Sequence, residues 1–288
     1  MKSLAEHLKE ADEKKVAIGH FNISELSALR AIFGTAQKLN VPVLIGTSEG
    51  ERNYIGPKQA VALVKSLREQ YDYPIFINAD HTHSLEKVKE AALAGYDEIL
   101  FDGSFMGFEE NLRQTKQAVE IVKSINPNIV VEGEIGYIGA SSEIVDKIPE
   151  ESLVLSTPEH AKKFVEETKV DVIAPAVGNM HGLLKKMLTG EVHKRLHIHV
   201  IDEIKQATGI YMTLHGGSGT DDNDFRKAVK AGMTIVHVST ELRVAWRRSL
   251  DDTLKRDQME VAPYKLLTPG IADIAKIVEN RLRLFNSP

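Results

Sequence analysis

The chain has no cysteine among its 288 residues. Disulfides and thiolate chemistry are excluded, so any transition metal must be held by His, Asp or Glu. It has no apolar run long enough to span a bilayer. Its first residues, MKSLAEHLKEADEKK, are polar and helix-like and do not read as a signal peptide. Basic charge is not in excess: the formal net charge is −5 and the pI is near 6.1. That balance gives no reason to expect nucleic acid or an anionic membrane surface as partner. No linker or low-complexity break divides the chain. These absences leave a soluble cytoplasmic protein as the expectation, folded as one domain over residues 1–288.

What is present is a rhythm. Short β-branched runs alternate with longer amphipathic stretches. Strands are expected at 16–22, 41–48, 73–80, 98–104, 128–136, 170–178, 210–217 and 234–240. Helices are expected at 24–39, 56–71, 84–95, 108–125, 157–168, 202–209, 221–232, 241–256 and 271–285, with a long loop over 137–156. Pro57 sits near the start of one helix and Gly95 closes another. Eight βα units at this length predict an α/β fold, a closed (β/α)8 TIM barrel with extra terminal helices, over a doubly wound open sheet.

In such a barrel the chemistry gathers at the C-terminal ends of the strands. Those ends deliver Asn22, Ser48, Asp80 with His81, Asp102 to Ser104, Glu132 with Glu134, Gly178 to His181, His215, and His237 to Thr240. His81, His181 and His215 follow three different strands. Three imidazoles and no thiolate suit a catalytic zinc-type site that keeps a position open for substrate. His83, His193, His197 and His199 read as decoys, the last two on a shared strand-like face. The stretch LHGGSG sets glycines directly after His215. A backbone free of Cβ atoms can turn its N–H groups inward as an anion nest, and loops seven and eight of such barrels commonly hold phosphate.

Taken together, AIGHFNIS, NADH, LFDGSFMGFEEN, VEGEIGYIGA, APAVGNMHG, LHGGSG and VHVSTELR resemble the class II, metal-dependent ketose-bisphosphate aldolases along nearly the whole chain. The resemblance implies that His81, His181 and His215 ligate a divalent metal, zinc first. It places Asp102 and Glu134 at a second metal position and allows a monovalent cation. It makes Asp80 the general acid/base at the C4 oxygen. It gives Gly182, Gly216, Gly217, Ser218, Ser239 and Thr240 to dihydroxyacetone phosphate, with Asn22 and Ser48 near the substrate. The implied reaction is reversible cleavage of a phosphorylated ketose. Fructose 1,6-bisphosphate, giving dihydroxyacetone phosphate and glyceraldehyde 3-phosphate, comes first, with tagatose bisphosphate or an unusual sugar phosphate as alternatives. The implied assembly is a homodimer or homotetramer.

Three positions depart from the family pattern. Asn78 stands where a histidine is usual. Ser142 aligns with the glutamate of a mobile loop, which makes the neighbouring Glu143 the expected base and Glu150 or Glu151 its alternatives. His237 stands where an asparagine meets the ketose. It shares a strand face with Ser239, so it is expected to line the same pocket. Two rival chemistries lack their marks. A Schiff-base aldolase needs a lysine at a strand end, and none is there. A metal-dependent barrel hydrolase would show His-x-His on strand one, where this chain has HFN. A non-enzymatic sugar-phosphate binder needs a defective site, and the departure at Ser142 keeps that reading open.

Overall fold

The computed structural model describes residues 2–139, 144–145, 154–189 and 192–287. Eight parallel strands close into one barrel. In chain order they are β1 (Ile18–Asn22), β2 (Val43–Thr47), β3 (Ile75–Thr82), β4 (Glu98–Phe101), β5 (Val130–Ile135), β7 (Val172–Pro175), β9 (Tyr211–Leu214) and β10 (Met233–His237). Each pairs with its neighbours in parallel register, and β1 meets β10 through Ile18–Ile235 and His20–His237. The (β/α)8 barrel expected from the sequence is therefore the fold.

The helices lie where local signals put them. α2 (Leu26–Leu39) buries Leu29, Ile32, Phe33 and Ala36 at helical spacing against the sheet. α5 (Leu85–Ala94) starts at the Ser84 cap and stops at Gly95, whose φ of +92° only glycine adopts freely. The same logic bounds α7 (Pro158–Thr168), capped by Thr157, and α9 (Asp222–Ala231), capped by Asp221. α4 (Pro57–Tyr71), α6 (Phe108–Ile125) and α10 (Thr240–Arg256) complete the regular wrapping. α1 (Leu4–Lys14), fixed by a Ser3/Glu6 capping box, closes the lower mouth. Its Leu4, Leu8 and Ala11 pack on Ile18, Leu44, Phe76, Val130, Val172 and Ile235. No helix among the described residues is long and apolar enough to cross a membrane.

Three elements differ from expectation. Residues 49–55 form a short helix, α3 (Glu49–Ile55), started by a second capping box of Ser48 and Glu51. α8 runs Ile198–Thr208, so His197 and His199 lie at a helix start rather than on a strand. α11 begins at Pro263 and runs to Phe285 with Pro269 inside it. Its packing against α2 and α10 carries the helix through a proline that ordinarily ends one. A small parallel pair, β6 (Ile144–Val145) with β8 (Leu183–Leu184), ties the long loop to the segment after His181.

Candidate active site at the barrel mouth

Inward-facing residues recur at every second strand position, so the interior is layered. The lowest layer is the apolar set that α1 covers. The next is polar. The His20 and His237 rings stack at 3.3 Å with 2° between their planes. Asn78 Nδ2 donates to Glu98 Oε2 at 2.8 Å, and Glu132 meets His215 Nε2 at 2.8 Å. Gly46 makes room for the stack, since a Cβ there would lie 2.1 Å from the His20 ring.

Above this layer, ligand atoms of His81, Glu134, His181 and His215 lie within 4.8 Å of one another. His81 Nε2, His181 Nε2, His215 Nδ1 and Glu134 Oε2 are buried without a hydrogen-bond partner among the described residues. Buried polar atoms are rarely left so, and convergent imidazole nitrogens of this kind fit a divalent cation. On its other edge His81 Nδ1 faces Asp102 Oδ2 at 2.8 Å and Glu134 Oε2 at 3.6 Å. Glu132 does the same for His215, and such carboxylates fix the tautomer and aim of a ligating ring.

His81 reaches this position through a left-handed backbone, φ +44°, at the end of β3. Such a conformation is costly for a side chain with a Cβ and persists only when its surroundings impose it. Arg52 of α3 supplies part of that constraint. Its buried guanidinium donates to the carbonyls of Thr47 and Asp80 and to Thr82 Oγ1, spanning the turn.

Charge in the cluster is uneven. Burial opposes the protonated form of His81, but Asp80, Asp102 and Glu134 outweigh it and push the ring up to about 10. Burial pulls His215 down to about 3 and His20 to about 4, and takes His181 and His237 well below the usual range. Those rings are neutral, as ligation requires. Burial also works against the Asp80 carboxylate, yet the protonated His81 ring and the Asn22 amide hold it ionised. Asn22 Nδ2 donates to Asp80 Oδ2 at 2.8 Å, while Oδ1 has no hydrogen-bond partner among the described residues and lies 3.6 Å from His237 Nδ1 and 3.7 Å from His81 Nε2. One oxygen is anchored and the other is turned to the cavity.

That cavity lies between His81, His181, His215 and the turn of Gly216 to Ser218. Every residue expected at the substrate lines it: Asn22, Ser48, Gly182, Gly216, Gly217, Ser218, His237, Ser239 and Thr240. The glycine turn after His215 meets the N-terminus of α10 here, a place suited to an anion. Glu241 N–H donates to Ser218 Oγ at 3.3 Å, and Gly219 N–H to Glu241 Oε1 at 2.8 Å. A second cavity, lined by His83, Asp102, Phe105 and Tyr137, adjoins it at Ser48, His81 and His181. Glu143, Glu150 and Glu151 lie outside the described residues, as does Ser142.

Two lining residues were not expected from the sequence, Glu51 and Arg243. Glu51 accepts from Asn22 Nδ2 at 3.0 Å and from Ser48 N–H at 2.8 Å. Its signal was the Ser48-x-x-Glu51 spacing of a capping box, which marks α3 and with it the carboxylate. His193, His197 and His199 do not enter the site. His83 stands beside it, its Nδ1 3.4 Å from the Asp102 carbonyl.

Comparison with known proteins finds relatives along the whole chain. The family model for class-II fructose-bisphosphate aldolase matches residues 2–288. The chain is 34% identical over 288 residues to the fructose-bisphosphate aldolase of Geobacillus stearothermophilus, covering 99% of this chain and 96% of that protein. It is 33% identical to the fructose-bisphosphate aldolase of Staphylococcus aureus (strain N315), covering 99% and 97%. Among solved structures, the YdjI aldolase of Escherichia coli K12 superposes with a TM-score of 0.82 at 26% identity, covering 99% and 97%. The fructose-bisphosphate aldolase of Campylobacter jejuni shares the fold, with a TM-score of 0.80 at 19% identity, covering 98% and 94%.

Proposed function

The chain belongs to the class II fructose-bisphosphate aldolase family, and from that premise we propose that it cleaves a phosphorylated ketose reversibly, fructose 1,6-bisphosphate first. The observation that carries the reading is the set of nitrogens of His81, His181 and His215 that, with Asp80 Oδ1, have no hydrogen-bond partner among the described residues, one glycine turn from a pocket suited to an anion. His81, His181 and His215 would hold a divalent cation, zinc by its ligand preference. Asp102 and Glu134, facing the other edge of His81, offer a second cation position. Bound among the three rings, the cation supplies a Lewis acid for the ketose carbonyl.

The chain's own groups do the rest. Gly216, Gly217, Ser218, Ser239 and Thr240, with Gly182 across the pocket, hold the phosphate and so fix the reacting carbons. The ionised Asp80 takes the C4 hydroxyl proton in cleavage and returns it in synthesis. Glu132, through His215, keeps a ligating ring in place. Proton exchange at the ketose carbon falls to Glu143. In support, Ile144, the next residue, pairs with Leu183, two residues beyond His181. Glu143→Gln should lose exchange of that proton with solvent deuterium. Normal exchange would move the role to Glu150 or Glu151.

His237 lines the cavity with its ring stacked on His20. That observation keeps tagatose bisphosphate or another phosphorylated ketose as a second reading. The deciding experiment is a retro-aldol assay of metal-reconstituted protein against a panel of phosphorylated ketoses, with product identification. Absence of cleavage of any member by protein carrying its metal would end the proposal. Exposed Leu254, Met259, Val261 and Tyr264 along the α10–α11 connection support a homodimer or homotetramer, which light scattering would test. The single-barrel domain spans the chain in this reading, and the enzyme works in the cytoplasm.

A further inference from the structure

Lys194, in the segment before α8, is only 4% exposed. A lysine so deeply buried ordinarily pairs with a carboxylate. This one donates instead to three backbone carbonyls: Met180 at 2.7 Å, Gly182 at 2.7 Å and Gly216 at 2.9 Å. Met180 and Gly182 bracket His181, and Gly216 follows His215. The ammonium therefore sits where the two loops carrying these histidines touch. The approach is close, since a Cβ on Gly216 would lie 2.3 Å from the Met180 carbonyl oxygen. The lysine's own backbone is fixed as well, with its N–H donating to Gly219 O at 2.9 Å.

Three carbonyl oxygens aimed at one point repel one another unless a cation stands between them. Rings of carbonyls hold potassium in channel filters by the same electrostatics. The stoichiometry fits the charged form. An ammonium has three N–H donors for three acceptors, whereas a neutral amine would turn a lone pair toward an oxygen. Burial pushes the Lys194 amine down to about 7, and Glu241 works against that shift. The carbonyl cage stands on geometry independently of it.

We propose that Lys194 is a tethered monovalent cation: its ammonium fills a carbonyl cage, locks the His181 loop to the His215 loop, and places fixed positive charge behind the Gly216–Ser218 anion pocket. A chain with its cation attached does not draw an alkali-metal ion from solution for this purpose. Lys194 is thus a positioning residue for the phosphate. The phosphorylated-ketose reading supplies the identity of the anion, and the cage itself does not depend on that reading.

The test uses the metal-reconstituted full chain and two variants. Lys194→Ala empties the cage, and Lys194→Met fills it with an uncharged chain. Each protein is melted and assayed in potassium chloride and in tetramethylammonium chloride of equal ionic strength, the latter cation being too large for the cage. In Lys194→Ala, potassium should raise the melting temperature saturably by about 2–4 °C over tetramethylammonium. In wild type and Lys194→Met it should not. In tetramethylammonium the KM of Lys194→Ala for the ketose phosphate should be raised about tenfold, and potassium should bring it back with little change in kcat. Lack of any potassium-specific stabilisation of Lys194→Ala would overturn the proposal. So would wild-type melting or turnover that depends on potassium, a result that needs no variant to fold. If no protein turns over ketose but the potassium-specific stabilisation of Lys194→Ala persists, the aldolase reading fails and the cage stands.

Discussion

Below His20 the barrel is filled by Ile18, Leu44, Phe76, Val130, Val172 and Ile235, all buried and all apolar. At its level and above, the same alternation brings in Asn78, Glu98, Glu132, His237, Asp80, Glu134 and His215, several with buried atoms that have no hydrogen-bond partner among the described residues. Each such atom costs about 1–3 kcal/mol. One strand carries both characters: β3 offers Phe76 to the lower layer and Asp80 to the upper. The lower half stabilises and is indifferent to chemistry. The upper half spends that stability on groups waiting for a ligand, as strained and orphaned sites do elsewhere. Substitutions on either side of His20 should therefore fail in different ways.

The sharpest contrast pairs His181→Ala with Phe76→Ala. The first should lose bound metal and reduce cleavage to background while the protein stays folded. The second should lower unfolding free energy by about 3–5 kcal/mol yet keep metal and activity per folded molecule. Metal analysis and denaturant titration on both variants check this, and full activity in His181→Ala would break the comparison. Asp80→Ala comes next. It should slow cleavage by roughly 10²- to 10⁴-fold with metal retained, since the anchored carboxylate moves a proton and is not a principal ligand.

A third expectation concerns pH. The raised His81 ring, at about 10, holds a proton that a bound cation must displace. Apparent metal affinity should thus climb by about tenfold per pH unit through the neutral range. The metal-free protein behaves oppositely. Its His81 is raised above the ordinary 6.5, so the stability it contributes is full below that value and fades as pH rises toward about 10. Melting curves with and without chelator should diverge as pH increases, and parallel curves would remove His81 from the metal set. The smallest effect belongs to His237→Ala. It should raise KM for the ketose by about tenfold or less, the loss of one hydrogen bond, with kcat nearly kept. Unchanged kinetics would make the His20–His237 stack a packing feature only.

How far these halves could be read beforehand differs by kind of signal. The strands were legible because β-branched runs bounded by turns recur eight times. The polar strand ends followed from the same count. α3 was not, because EGERNYI carries no apolar stripe and its only mark is the Ser48/Glu51 cap. The start of α8 was misread because HIHV alternates with period two over too few residues to tell strand from helix. α11 was begun too late because Pro269 weighs locally, whereas packing on α2 weighs globally. Lys194 was illegible for a deeper reason. Its partners are main-chain oxygens, which every residue has, so no residue type announces them.

The stopper at the lower mouth has a consequence for traffic. With Leu4, Leu8 and Ala11 seated under the strands, the barrel is a well with one door. Whatever is split inside it must leave by the way it came. If Gly217 and Ser218 hold the phosphate as proposed, the fragment over His83, Phe105 and Tyr137 would lie across the path of the one held by that turn, and the two would depart in sequence. Release order would then be written into the floor of the barrel, far from any atom that reacts.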